Sequence, residues 1–372
     1  MSAKSVEGLP ASMRGLALLA IVALSGTPFV HHLSASPPSQ SHGKQAQANE
    51  ASATCGTCHV AVVRNYSAAP MRHAMEPDGA NSELIAHPDL KTTIGLYTYR
   101  VTTKGGHTTY SVTDGSNTIS TPIEWIFGQK TQTWVLEKDG RFYESLVSYY
   151  PRDNTLDVTP DDANIKPSTL LEAMGRPVST AEVRTCFDCH ASGLVPGEKL
   201  VTAKTIPGIG CERCHEGAQQ HMTDAAADNF KTIPKHLKRL DAQQVSNFCG
   251  QCHRTFDNVI RDRLHGNGTV RFQPYRLELS KCFVGNDPRI SCIACHNPHQ
   301  PADRVASHYD AKCLACHSSN NASSAMHSAK ICPVSKSNCT TCHMPKTDIP
   351  GNHAQFTDHY IRVVKTGEDY PQ

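Results

Sequence analysis

The sequence predicts an α-plus-irregular fold with one antiparallel β-sheet insertion. Three observations predict it. Of 372 residues, only 38% are hydrophobic and 6% aromatic, against an apolar share of about 45–50% in ordinary domains by a slightly different count. The pattern C-x-x-C-H recurs seven times, and six copies crowd into residues 186–343. Between the first copy and the second lies a stretch of alternating β-formers that holds both Trp and most of the Tyr. The length allows two or three domains, or one large one. The formal charge of +2 argues against a nucleic-acid binder, which carries a basic excess.

At the N-terminus, Lys4 and Arg14 lead into an apolar run over 15–24, broken at Thr27-Pro28. These are the charged and apolar regions of an export signal, too short for a comfortable membrane span. Residues 1–36 read as a signal peptide or an N-terminal anchor. Residues 37–52, rich in Ser, Pro, Gln and Ala, read as a flexible linker. Either way the bulk of the chain is expected outside the cytoplasm, periplasmic or otherwise extracytoplasmic. An uncleaved leader would tether it to the inner membrane.

The seven motifs are Cys55-x-x-Cys58-His59, Cys186-x-x-Cys189-His190, Cys211-x-x-Cys214-His215, Cys249-x-x-Cys252-His253, Cys292-x-x-Cys295-His296, Cys313-x-x-Cys316-His317 and Cys339-x-x-Cys342-His343. This is the attachment pattern for c-type haem. Two thiols form thioethers to the vinyl groups of one porphyrin, and the adjacent imidazole ligates its iron. A zinc pair has no need for His directly after the second Cys, yet all seven copies have it. The expected cofactors are therefore seven covalently bound haem c groups, and export agrees with that chemistry.

Six motifs in residues 186–343 leave about 26 residues per haem, too few for a side-chain core of the usual kind. The porphyrins themselves are expected to be the core. The intervals between motifs are irregular, so the array is not a strict repeat.

Two cysteines remain, Cys282 and Cys332. They either pair or stay as buried thiols. By loop entropy a disulfide closing that loop is worth about 4 kcal/mol before strain, which favours the pair.

Beyond the seven proximal His, the candidates for the opposite face of each iron are His73, His221, His265, His299, His327, His353 and His359. His299 lies too near its own proximal His296 to reach around that porphyrin, so it is expected on a neighbouring haem. His236 and His308 stand in reserve. His87 precedes Pro88 and His107 sits in a turn, so both read as solvated. Met71, Met75, Met222 and Met344 can supply thioether ligands, but packing explains each more readily.

In chain order, residues 53–91 form a first haem segment. Residues 92–150 form the β insertion, with four or five strands bounded by turns at Lys104-Gly105-Gly106, Asp114-Gly115 and Lys138-Asp139-Gly140. Residues 151–185 form a connection with short helices over 168–175 and 179–185, separated by Arg176-Pro177. Residues 186–365 form a hexahaem core, with helices expected over 224–240 and 242–248.

Several runs resemble the bacterial multihaem c-type cytochromes related to cytochrome c-554. They are Gly210-Cys-Glu-Arg-Cys-His215 with Gly217 and His221, Arg271-Phe-Gln-Pro-Tyr-Arg-Leu277 with Ser280 and Cys282, and Cys295-His-Asn-Pro-His299. Cys332-Pro-Val, Cys342-His-Met-Pro-Lys346 and Phe356-Thr-Asp-His-Tyr-Ile-Arg362 complete the set. One departure is Glu216, where the family often has Gly. The resemblance implies a multihaem cytochrome with a haem-built core, and electron transfer with redox partner proteins such as other cytochromes or a quinol-linked complex. It leaves oligomeric state open.

Two functions follow from the residues. Haems held by His on both faces have no open site and pass electrons. A multihaem oxidoreductase for a small nitrogen or sulfur oxyanion needs one open haem beside polar groups, for which Arg271, Tyr275, Arg276 and His265 are candidates. A wire-forming subunit that polymerises through shared haem ligation is a third reading. Packing against haem edges or propionates explains the Arg271 run more simply, so no catalytic residue is assigned.

Overall fold

The protein is described from a computed structural model over residues 54–194, 200, 202, 205–318, 331–365 and 367. The export segment, the linker and His327 lie outside these described residues.

The β insertion is two main sheets and a hairpin rather than one sheet. Strands β1 (Met75–Pro77), β2 (Asp89–Ile94), β3 (Tyr97–Lys104), β4 (His107–Thr113), β5 (Thr118–Pro122) and β6 (Trp125–Phe127) come first. Then follow β7 (Thr133–Lys138), β8 (Arg141–Ser145), β9 (Val147–Tyr150), β10 (Thr155–Val158) and β11 (Gly175–Val178). One antiparallel sheet runs β2-β3-β4-β5, a second runs β1-β6-β7-β8-β11, and β9 pairs with β10. The strands thus extend beyond residues 92–150 on both sides. Arg176-Pro177, expected to break a helix, lies instead in β11, the edge strand beside β8. An edge tolerates Pro because the strand's outer side needs no N–H donor there.

Alternation explains the sheet cores. Tyr99, Val101, Tyr110 and Val112 point inward from β3 and β4 and meet Trp134 and Leu136 of β7. The rings of Tyr110 and Trp134 lie 5.8 Å apart, and the Tyr110 hydroxyl donates to the Met174 carbonyl at 3.0 Å. A second cluster joins Met75, Trp125, Phe127 and Val135 to Val183 and Phe187. Among the described residues, neither cluster draws on residues 205–365.

The remainder is short helices, turns and coil, as the composition predicts. The helix expected over 224–240 forms at Ala218–Ala226 instead, opened by Gly217 in the left-handed region. The chain then runs extended to a turn at Leu237–Arg239. Helices expected over 179–185 and 242–248 are longer, at Thr180–His190 and Ala242–His253. Both begin with capping boxes, Ser179 with Glu182 and Asp241 with Gln244.

Candidate functional site

Three motifs close helices: Thr180–His190, Ala242–His253 and Ala306–His317. A helix places positions i, i+3 and i+4 on one face, so both thiols and the imidazole point the same way. The other four occupy single turns. The first precedes the helix Val60–Tyr66, whose N-cap is His59. The third, fifth and seventh lie at Cys211–Arg213, Cys292–Cys295 and Cys339–His343.

The first motif, remote in sequence, docks beside the third. The Tyr66 hydroxyl donates to the Ile209 carbonyl at 2.8 Å, and the Arg72 guanidinium donates to the Pro207 carbonyl at 2.9 Å. Gly208 has φ +75°, and any Cβ there would collide with the Arg72 carbonyl, so this junction requires glycine.

Five histidines share one hydrogen-bond pattern. Nδ1 meets a backbone carbonyl in His190 (Ala74, 2.7 Å), His215 (Lys235, 3.2 Å), His221 (Thr232, 2.7 Å), His343 (Arg362, 2.8 Å) and His359 (Thr357, 3.0 Å). A carbonyl only accepts, so Nδ1 carries the proton and Nε2 keeps its lone pair. Metal-bound His is oriented in this way. The extended segment after Ala226 is thereby explained, since its carbonyls serve His221 and His215. Burial pushes the His190, His253 and His296 imidazoles down, and pushes His359 to about 4. These rings are neutral at pH 7, the form that ligates metal.

Three proximal His face a second imidazole. Ring centres lie 6.4 Å apart for His59 and His221, 6.2 Å for His296 and His359, and 5.8 Å for His215 and His299. A metal ion held between two imidazoles by bonds of about 2 Å would put their ring centres about 6 Å apart. His236 also lies 5.9 Å from His215, but edge-on at 77°.

Other candidates are placed differently. His73 meets Glu76 through Nδ1 at 2.8 Å and the Ser67 carbonyl through Nε2 at 2.7 Å. His353 lies between Asp153 and Asp157, 2.8 Å from each, and packs on Tyr150. Both nitrogens of each ring are engaged by protein. His265 is exposed, and His308 pairs with Asp303. His107 pairs with Asp78.

The motif cysteines also approach one another. Cys211 meets Cys55, Cys214 lies near Cys249 and Cys252, and Cys189 meets Cys252. Cys249 meets Cys292, Cys295 lies near Cys313, and Cys313 meets Cys339. The motifs therefore adjoin in the order one, three, four, five, six, seven, with the second beside the fourth. A cavity of about 1530 Å³ runs past the first, third and fifth, larger than the roughly 300–1,000 Å³ of an ordinary ligand site.

These residues fit porphyrin iron. Thiols come in pairs beside an imidazole, which in His190, His215 and His343 is held through Nδ1, and the void is large. Two buried guanidinium nitrogens, Arg271 Nε and Arg362 Nε, lack a protein acceptor, and propionates suit such donors.

The structure does not form the expected disulfide, since Cys282 and Cys332 are not bonded to each other. Cys282 sits among Cys295, Cys313 and Cys316, and burial pushes its thiol up. Cys332 is held at its own turn by the Ser335 and Val334 N–H groups, which pull its thiol down. The Arg271 run is engaged elsewhere. Arg271 pairs with Asp161 at 3.0 Å, Tyr275 packs on Phe256, and buried Arg276 pairs with Asp358.

Among the described residues no helix is long and apolar enough to cross a membrane. No curated protein matches the chain. A solved structure of the outer cell wall cytochrome OcwA aligns over 84% of this chain and 79% of its own, at 15% identity and a TM-score of 0.46. The family model for cytochrome c554 and c-prime matches residues 160–216, which contain the second and third motifs. The chain is thus similar to the multihaem c-type cytochromes related to cytochrome c-554, with the family match carried by residues 160–216.

Proposed function

We propose that this protein is an exported heptahaem c-type cytochrome that transfers electrons along a chain of mostly bis-His, low-spin haems. The family match supports electron transfer. The observation that carries the finer reading is the three imidazole pairs at trans-ligand spacing, His59 with His221, His215 with His299 and His296 with His359. Each haem, when bound, supplies a reversible iron couple whose potential depends on axial ligand, burial and charge.

The chain's own residues do the rest. Cysteine pairs would fix each porphyrin, and carbonyls acting on Nδ1 aim the Nε2 of His190, His215, His221, His343 and His359. The approach of the motif cysteines supports a conduit that would run from the first centre through the third, fourth, fifth and sixth to the seventh, with a branch from the fourth to the second. Its ends and branch are where redox proteins would give or take electrons. The apolar run at 15–24 supports export, by a cleaved signal or as a tether.

Electron paramagnetic resonance of the oxidised protein tests this reading. The expected spectrum is low-spin, and after reduction with dithionite carbon monoxide should leave the visible bands of the first, third and fifth haems unchanged. A high-spin signal from one of these haems would overturn its bis-His assignment. A high-spin haem elsewhere that responds to nitrite or hydroxylamine would favour the oxidoreductase.

A further inference from the structure

We propose that residues 355–362 form a strap that sets the axial ligation of two irons at once, with Asp358 as its positioning residue. The proposal rests on the reading above, in which His359 ligates the haem of His296 and His343 is the proximal ligand of the seventh.

The strap begins as the strand Gln355–Thr357, paired with Lys346–Asp348 just after the seventh motif. Asp358 follows and is fully buried, as is Arg276 of the helix Gln273–Glu278. Arg276 donates Nε and one terminal nitrogen to the two Asp358 oxygens, each at 2.9 Å. Arg362 donates to the same carboxylate at 2.7 Å. The Tyr360 ring lies near both guanidiniums, its centre 5.4 Å from Arg276 and 5.0 Å from Arg362. The Tyr360 N–H also donates to Asp358, at 3.0 Å. Removing one member of such a buried set leaves the others uncompensated.

His359 is the next residue. Its carbonyl accepts from the Ser280 hydroxyl at 3.3 Å, and that hydroxyl accepts from the Ile361 N–H at 2.8 Å. At the far end, the Arg362 N–H donates to the His343 carbonyl at 3.2 Å, and the Arg362 carbonyl accepts from His343 Nδ1 at 2.8 Å. The Asp358 N–H donates to the Pro345 carbonyl at 2.9 Å. One carboxylate therefore pins both the ring facing His296 and the carbonyl that orients His343. Releasing it frees the first ligand and rotates the second.

The test is Asp358→Asn in the full holoprotein, read by haem stoichiometry, paramagnetic resonance, carbon monoxide uptake and redox titration. The variant is expected to keep its haem count and to gain one high-spin haem. It should bind one more carbon monoxide per chain than the wild type, and a second haem that stays low-spin should change potential. A variant with wild-type spin state and potentials would overturn the strap. If Asp358→Asn fails to mature, Arg362→Lys keeps the charge but loses the guanidinium nitrogen that donates to both Asp358 and the Tyr360 carbonyl, and it is expected to move the same two centres. Wild-type behaviour there would overturn the proposal. A wild-type protein already high-spin at the haem of His296 would instead overturn the ligand assignment on which the strap depends.

Discussion

An imidazole that holds iron must keep one nitrogen free, and this divides the histidines of the chain. His221 and His359 anchor Nδ1 on a carbonyl, and their ring centres lie 6.4 and 6.2 Å from those of His59 and His296. His73 uses both nitrogens on protein groups. Replacing His221 with Ala is therefore expected to convert one haem to high-spin and create a carbon monoxide site. His73→Ala should leave the visible and paramagnetic spectra unchanged. A high-spin haem in His73→Ala would show that its contacts rearrange to ligate iron. The proximal histidines were legible because thioether chemistry fixes their spacing within five residues. The opposite ligands were not, because each lies on a distant segment and only the fold brings it to its ring. The spacing of His296 and His299 leads to the expectation that His299 serves a neighbouring haem, and the fold brings it beside His215, but nothing in the pattern separates His221 from His73.

At the scale of elements, turn chemistry made the hairpins legible. Asp139 and Gly140 both take positive φ between β7 and β8, as a tight hairpin turn requires. Strands β1 and β11 were not legible, since three or four residues containing Pro carry no alternation. Their pairing depends on β6 and β8, which already exist in the fold. Trp134 is fully buried at the centre of this region, and Trp134→Ala should destabilise it by about 3–5 kcal/mol, measured by chemical denaturation. Beside it, Arg176 bridges Glu144 at 2.5 Å and Glu182 at 3.2 Å, with buried Asp162 nearby. Burial, then Glu144, pushes the Asp162 carboxyl up to about 6. A carboxyl raised above its unfolded value favours the folded state only while protonated. Stability should therefore fall as pH rises from about 4 to about 6, by on the order of 2 kcal/mol. Asp162→Asn should remove that slope in thermal melts, and an unchanged slope would exclude Asp162 as its source.

For the whole molecule, the low apolar fraction acquires a physical account. Among the described residues, both side-chain clusters belong to the β region and its flanks, and residues 205–365 contribute to neither. Seven porphyrins are what would complete that part. Without haem, residues 205–343 are expected to stay unfolded while the sheets retain their structure. An apo form with the full native circular dichroism spectrum would contradict this. The central claim is seven covalent haems, and intact mass spectrometry of the denatured, exported protein tests it most directly. Thioether-bound haem survives denaturation, so the account predicts the polypeptide mass plus seven haems, with Cys282 and Cys332 as the two cysteines outside the motifs. A mass equal to the bare polypeptide, or to one carrying fewer haems, would contradict it.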